Sequence, residues 1–591
     1  MRLIALFSCL FWATITLFSQ EYIATQQIGG DTSEAVNDLV VDIYDNVYLS
    51  GSFRGEINFA ADFGGEDFHS PQGERDLYIT KVDKDFNYQW TKTFGGPGTE
   101  QFAHLISDPE GNLFVAARFG PLFVLDGEVR GTETDFYQGV FVSKLDTSGA
   151  VVWAKEFKGG TVYINTLGID PVGNLYVGGI FRNEVDFRID FDGISDKKSS
   201  TVSESAFLTK ISNTGQYEWT KALPVLSFPG GRSFLFDIIS NKDGDIYITG
   251  GFDTSGGIDL GTNFGTADTL WSNGRRDAFV TKIMADGTYG WSRRIGGSRV
   301  DSGYRLSLDS DENLYLVGWF QDEVNFSEDF EEVPPVVFNT GERSSFYSFV
   351  AKLSKDGDYN WSRVLGSRGA ETVSFGNDIA VVGDQVVLTG DFSDTLVLNR
   401  FFEETQDTII AQGGQDLYLL GLDLEGNYQY IKSIGGMEGE GRGWIEPQGN
   451  ILCVTAVFSG EVDFAASFPN SNADVKQSVG QTDIFISRIR LEGINPVRNH
   501  VNEVGELRVY PNPFDDQLRV NWSATNSSPQ SILSLEVFNA RGNTVFQEYS
   551  IERNSVYDQT FDVGRLPAGI YFLRLNFKNG ASQFAKLIKQ P

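Results

Sequence analysis

Three short segments recur along residues 21–491 of this chain, and a sequence that repeats at such a period can bury its apolar faces only by packing one copy against the next. The plainest is an aromatic that follows a polar turn and opens a short strand. It stands at Trp90, Trp153, Trp219, Trp291, Trp361 and, in the sixth place, Tyr430, with spacings of 63, 66, 72, 70 and 69 residues. A second segment appears seven times, as DIYDNVYLSGSF, DPEGNLFVAARF, DPVGNLYVGGIF, NKDGDIYITGGF, DSDENLYLVGWF, VVGDQVVLTGDF and EPQGNILCVTAVF. A third, mostly led by aspartate, runs from DLYITKVD to DIFISRIR and also has seven copies.

Each segment is a run of Val, Ile, Leu, Tyr and Phe bounded by Asp, Asn and Gly turns, which is the signature of strands in hairpins. Helical periodicity is absent. Apolar residues fall on both strand faces, as at Tyr48 and Leu49 or Tyr78 and Ile79, so each sheet is expected to lie between two others. Two residues before its terminal Phe the second segment has Gly or Ala in every copy: Gly51, Ala117, Gly179, Gly250, Gly318, Gly390 and Ala456. A small residue there suits crowding between wedge-shaped sheets. The seventh copy is one residue longer between Asn450 and Phe458, which predicts a bulge.

The ends predict how the array closes. A copy of the aromatic strand without its aromatic, YIATQQIGG (Tyr22 to Gly30), stands at the start, and none follows Arg490. Tyr22–Ile28 should therefore pair in the sheet that holds Asp483–Arg490, burying both open edges. The expected fold is all-β: a seven-bladed β-propeller over 21–491, with four-stranded blades, closed by the N-terminal strand. These repeats resemble the SBBP type of bacterial β-propeller repeat. The resemblance implies a fold and is nearly silent on function, because propellers host hydrolases, lyases, lectins and scaffolds alike.

Composition narrows the partners. The formal charge is −33 and the pI about 4.4, which disfavours nucleic acid and acidic lipid as ligands. From Leu507 onward nine Lys/Arg face seven Asp/Glu, so the acidity lies upstream. Residues 1–20, with Arg2 ahead of LIALFSCLFWATITLF and a polar FSQE after it, read as a signal peptide cleaved near Ser19 or Gln20, and no later segment is apolar enough to span a bilayer. Cys9 falls inside the apolar run. Past it only Cys453 remains, in a strand context that suits a buried hydrophobe.

No constellation reads as a catalytic site or a cofactor site. His69 and His104 lie in no recognisable motif, and His500 falls in the linker. Asp83, Asp85 and Asn87, then Asn241, Asp243 and Asp245, then Asp309, Asp311 and Asn313 have the alternating oxygens that suit calcium. Tight turns between strands call for the same residues, and no terminal bidentate Glu follows. SKDGDYNW (Ser354 to Trp361) resembles the Asp-box turn of sialidase-type propellers, with Gly357 one place early. The longest insertions, 121–138, 188–205 and 327–345, are where a variable loop would carry function or merely tolerate length.

After a linker (492–506) the composition changes. LRVYPNPFDDQLRV, LEVFNARGNTVFQEY and FDVGRLPAGIYFLRLNFKNGASQFAKLIKQP form a short all-β unit over 507–591. Tyr510, Pro511, Asn512 and Pro513, then Leu566, Gly569 and Tyr571, and the closing Lys586 to Lys589 carry a resemblance to the type A C-terminal sorting domain of the type IX secretion system of Bacteroidetes. That resemblance implies an Ig-like β-sandwich, the type IX machinery as partner, and delivery to the outer-membrane surface or beyond. The expected function is a non-enzymatic binding or scaffold module for an extracellular ligand, glycan or protein. The alternative is a glycan-active hydrolase or lyase working on the propeller face.

Overall fold

The computed structural model describes residues 20–491, apart from short loop stretches (121, 126–127, 132–138, 201–202, 227–230, 254–256, 331–332, 342–344, 367–372, 399–401, 403–404, 406 and 470), and the strands of residues 506–589. Arg2, Cys9, Ser19 and His500 lie outside the described residues. The chain divides into two units, Met1–Ile494 and Asn495–Pro591. Among the described residues no helix is long and apolar enough to cross a membrane.

The first unit is built of antiparallel sheets in a propeller-like arrangement. Six of them share one order: an innermost strand, the second segment, the third segment, then the aromatic strand at the outer edge. Sheet 1, for example, runs Ala35–Val41, Val47–Phe53, Asp76–Val82 and Tyr88–Phe94. Sheet 7 draws its outer strand from the other end of the chain. Gln20–Ile28 pairs antiparallel with Asp483–Leu491, with Tyr22 opposite Ile489 and Ile28 opposite Ile484. The Tyr22 hydroxyl donates to Asp474 (2.5 Å), as Tyr88, Tyr217, Tyr289 and Tyr428 donate to Asp67, Asp196, Asp268 and Asp407 in their own sheets. The N-terminal strand thus makes the same side-chain lock as an internal one.

The innermost strands contact one another in a closed cycle. Ala35–Val41 touches Gln101–Ser107, and the contacts continue through Thr161–Ile169, Ser233–Ser240, Asp301–Leu308 and Ser374–Val382. Trp444–Gln448 then touches Ala35–Val41 again. Between sheets, apolar side chains interdigitate: Tyr48, Tyr78, Tyr176, Tyr247, Tyr315, Tyr347 and Tyr418 are all fully buried. Burying one large apolar side chain contributes about 1.5–3 kcal/mol, so cohesion comes from packing. Cys453 adds no cross-link; it is a buried free thiol, and burial pushes it up to about 12. The aromatic markers reach across the seams. Trp90, Trp153, Trp291 and Trp361 lie against the turn glycines Gly149, Gly215, Gly357 and Gly426 of the next sheet, each at positive φ.

Three local expectations need correction. The small residue before the terminal Phe relieves crowding within a sheet, not between sheets. A Cβ on Gly51, Gly179, Gly250 or Gly390 would stand about 2 Å from the carbonyl oxygen of Ala35, Tyr163, Phe234 or Phe375 on the adjacent innermost strand. The seventh second segment has no bulge either. Ile451 to Phe458 pairs with Arg490 to Asp483 without a register break, and the extra residue is taken up in a tight Gly449–Asn450 turn. The insertions, finally, are repeats. Every sheet carries a two-stranded ribbon between its second and third segments, such as Ile57–Asn58 with Phe68–His69 and Glu184–Asp186 with Lys197–Ser199. Five of these ribbons bridge to the preceding sheet: Gly30 with Ile57, Gly95 with Val124, Lys158 with Asp186, Val225 with Ile258 and Gly296 with Asn325.

The second unit has a three-stranded sheet (Glu506–Tyr510, Gln517–Ser523, Val556–Asp562) and a four-stranded one (Ile532–Asn539, Thr544–Tyr549, Gly569–Phe577, Ser582–Lys589). Leu518, Val520, Leu535, Val537, Phe561, Leu573, Leu575 and Leu587 form its core.

Candidate ligand site on the ring axis

The innermost strands share a defect that aims side chains into the lumen. Six of them slip register by one residue against their neighbour, at Asn37, between Gln101 and His104, and at Asn165, Phe236, Tyr304 and Asn377. A bulge bends its strand and redirects the following side chain. The residues after these six, Asp38, His104, Thr166, Asp237, Arg305 and Asp378, line an axial cavity of about 370 Å³ together with Trp444 and Glu446.

The lumen carboxylates also staple neighbouring sheets. Asp38 accepts the N–H of Leu39 (3.0 Å) and of Leu105 in the next sheet (3.0 Å). Asp237 accepts the N–H of Leu306 (2.8 Å) and the hydroxyl of Thr166 (3.1 Å), and Asp378 accepts those of Ile379 (2.9 Å) and Ile445 (3.0 Å). Arg305 Nη1 donates to Phe236 O (2.7 Å). Burial works against its charge, but Asp237 first, then Tyr304, Asp378 and Asp38, hold it firmly protonated. Burial pushes the Asp378 carboxyl up to about 7 even with Arg305 drawing it down. Glu446 is pushed well up by burial, and the charges of Asp378, Asp38 and Asp237 add to the rise. His104 Nδ1 lies 3.6 Å from Asp38 Oδ2.

Beside the lumen is a smaller pocket of about 140 Å³, lined by Tyr304, Trp319, Phe346, Phe375, Gly376, Asn377 and Arg442. The rings of Trp319, Phe346 and Phe375 pack mutually at 5.3–5.9 Å. Arg442 Nη1 donates to the Tyr304 hydroxyl (3.2 Å), Asn377 donates to Asp391 (2.6 Å), and Phe236 leans on Tyr304 at 5.6 Å. Trp319 lies near the end of the strand Leu314–Gln321 and Phe346 begins the strand Phe346–Leu353, so this pocket opens where the ribbon leaves the sheet. Aromatic faces beside planar donors are what a sugar-sized polar ligand needs: flat surfaces for its C–H groups and directed partners for its hydroxyls.

The residues singled out in the sequence fall elsewhere. The leading side chain of each calcium-like turn accepts its own turn's N–H groups: Asp83 from Asp85 and Asn87, Asn241 from Asp243 and Asp245, and Asp309 from Asp311 and Asn313. Ser354 does the same for Asp356 and Asp358. His69 Nε2 sits 3.0 Å from Asp67. Of the sorting-signal residues, Gly569 faces Lys589, and Tyr571 donates to Pro567 O (2.7 Å). Leu566 packs on the core, and Lys586 stands opposite Phe572. Tyr510 ends a strand of the other sheet, and Pro511, Asn512 and Pro513 lie outside the described residues.

Residues 508–590 match the secretion system C-terminal sorting domain. The chain therefore ends in a type IX sorting domain, which supports export to the cell surface or outside and implies contact with that machinery. A 125-residue stretch is 26% identical to the uncharacterized WD repeat-containing protein L264 of Acanthamoeba polyphaga mimivirus, taking in 20% of this chain and 9% of that protein. Among solved structures, the polysaccharide lyase Uly1 is similar at 9% identity with a TM-score of 0.36, over 80% of this chain and all of that one. The phage phi92 endosialidase is similar at 11% identity with a TM-score of 0.34, over 97% of this chain and 80% of that one. At these identities no site is carried over.

Proposed function

We propose that the chain is a seven-bladed β-propeller, exported through the type IX system after removal of an N-terminal signal peptide, that works outside the cell as a binding module. The closed cycle of innermost strands supports the blade number. The observation that carries the binding reading is the Tyr304–Trp319–Phe375–Arg442 pocket beside the lumen, which combines half-buried ring faces with directed donors. Asp38, Asp237 and Asp378 are occupied as sheet staples, which suits a scaffold better than acid–base chemistry. A second reading as a glycan-active enzyme has one observation behind it: burial pushes Glu446, Asp378 and Asp237 up together in one cavity, and a carboxyl that keeps its proton there suits a general acid. Screening the purified protein on a glycan array and against a polysaccharide panel tests both. Retention of a glycan without product release is expected; release of oligosaccharide would overturn the binding reading in favour of the enzyme.

A further inference from the structure

The seams between sheets hold a repeated feature that the ligand reading leaves unused. Where a third segment begins, it makes a one-residue parallel bridge to the innermost strand of the next sheet: Arg75 with Thr99, Arg276 with Val300, and Thr482 with Ser33. At a fourth seam Glu440 N–H donates to Gln415 O (2.9 Å). The residues that follow the bridge on the two chains stand side by side, about 5 Å apart on one face. These pairs are Asp76 with Glu100, Asp277 with Asp301, Asp483 with Glu34, and Asp416 with Glu440. All eight are buried, none more than 5% exposed.

The repeat supplies its own control. Where the third segment is not led by Asp, its partner is not acidic either: Ser205 stands beside Ser233, and Tyr347 beside Ser374. Two buried carboxylates repel and lose hydration, so their joint occurrence requires a donor, a proton or a cation between them. At two seams the outer strand supplies a donor, three residues past the aromatic position. Arg294 Nη1 reaches Asp277 Oδ2 at 2.9 Å, its charge also acting on Asp301, and Gln27 Nε2 reaches Asp483 Oδ2 at 2.6 Å. At the other two seams that position is Thr93 or Ser433, whose hydroxyls are engaged with His69 (3.3 Å) and Ser467 (3.0 Å). There one oxygen of Asp76, Glu100 and Asp416 accepts the N–H of Gln72 (3.0 Å), Gly120 (3.2 Å) or Gln412 (3.0 Å), while Asp76 Oδ1, Glu100 Oε2 and Asp416 Oδ1 are buried without a hydrogen-bond partner; the buried Glu440 carboxylate has no side-chain partner among the described residues and only the Gly436 N–H drawing on it.

We propose that the Asp76–Glu100 and Asp416–Glu440 seams each bind one divalent cation of the calcium class, where the Asp277–Asp301 seam uses the Arg294 guanidinium. All-oxygen donors select a hard cation; two carboxylates supply part of a calcium shell, leaving main-chain carbonyls and water to complete it. Each ion would tie the third segment of one sheet to the innermost strand of the next and so help hold the ring.

Equilibrium dialysis of the full chain, stripped with chelator and returned to calcium at pH 8, tests this alongside thermal melting. The expected result is two ions per chain, half-saturating at about 0.1–1 mM as in extracellular calcium modules, with a rise in Tm. The Glu100→Gln/Glu440→Gln double variant replaces the charge with a neutral isostere. It should bind neither ion and show no calcium response, and each single variant should keep one ion. Wild-type protein that binds no calcium would overturn the proposal, as would a double variant that binds as much. So would a Tm raised by acidification alone with no calcium bound, since a shared proton would then fill the seam.

Discussion

Glu34 makes the stability of the ring fall as pH rises, the opposite of the usual behaviour of a carboxylate. It is 3% exposed. Burial pushes its carboxyl from 4.5 up to about 8; the Gly30 N–H draws it back, and the Asp483 charge adds to the rise. Between those values the native state holds a proton that the unfolded chain has released. The stabilisation is therefore complete below about pH 4.5 and drains away as pH rises toward 8. By pH 7 the native state has lost about 3 kcal/mol, some 2.5 pH units at about 1.4 kcal/mol each. Glu34→Gln cannot ionise and keeps an acceptor for the Gly30 N–H. In urea melts followed by tryptophan fluorescence in EDTA, the variant should lie within about 1 kcal/mol of wild type at pH 5 and be about 3 kcal/mol more stable at pH 7. A difference that stays constant across this range would refute the reasoning, because it would mean Glu34 titrates alike in both states.

Three further outcomes follow from the geometry. Gly390→Ala places a Cβ 1.9 Å from the Phe375 carbonyl oxygen, so it should cost about 1–3 kcal/mol or more in the same melts. Arg305→Leu leaves the lumen carboxylates without their cation and should cost about 3–5 kcal/mol at pH 8, and less at pH 5 as Asp378, held near 7, takes up its proton. Tyr22→Phe removes the hydroxyl that donates to Asp474 and should cost about 1.5–3 kcal/mol; limited proteolysis should cut the N-terminal strand faster than in wild type.

Two strands of every sheet were legible in the sequence because each is packed on both faces, which restricts its residues to the same few types in every copy; the half-exposed outer strand was legible through the aromatic that seats on a turn glycine of the next sheet. The innermost strand was not. Its lumen-facing position reads Asp38, His104, Thr166, Asp237, Arg305, Asp378 and Trp444, seven places that border the cavity, where the apolar seams impose no single residue type. The Asn-Asp pairs at Asn37–Asp38 and Asn377–Asp378 were the available signal, set 340 residues apart. The ribbons hid for a different reason. Their paired core is short (Ile57-Asn58-Phe59, Val185-Asp186-Phe187, Val324-Asn325-Phe326, Val462-Asp463-Phe464), and turns of unequal length obscure the repeat. The conserved-size glycines pointed to close approach, but which backbone approaches depends on the bulge, and a bulge leaves no mark in composition. The buried carboxylate pairs depend on register across about 25 residues or, at the closing seam, across nearly the whole ring, so spacing alone could not join them.

Export of this ring by its C-terminal unit is tested most directly by fractionating cells that express the chain with and without residues 508–590. The full chain should reach the outer surface or the medium, and the truncated chain should accumulate in the periplasm as a folded, protease-resistant ring. Surface delivery of the truncated chain at the level of the full one would contradict the account.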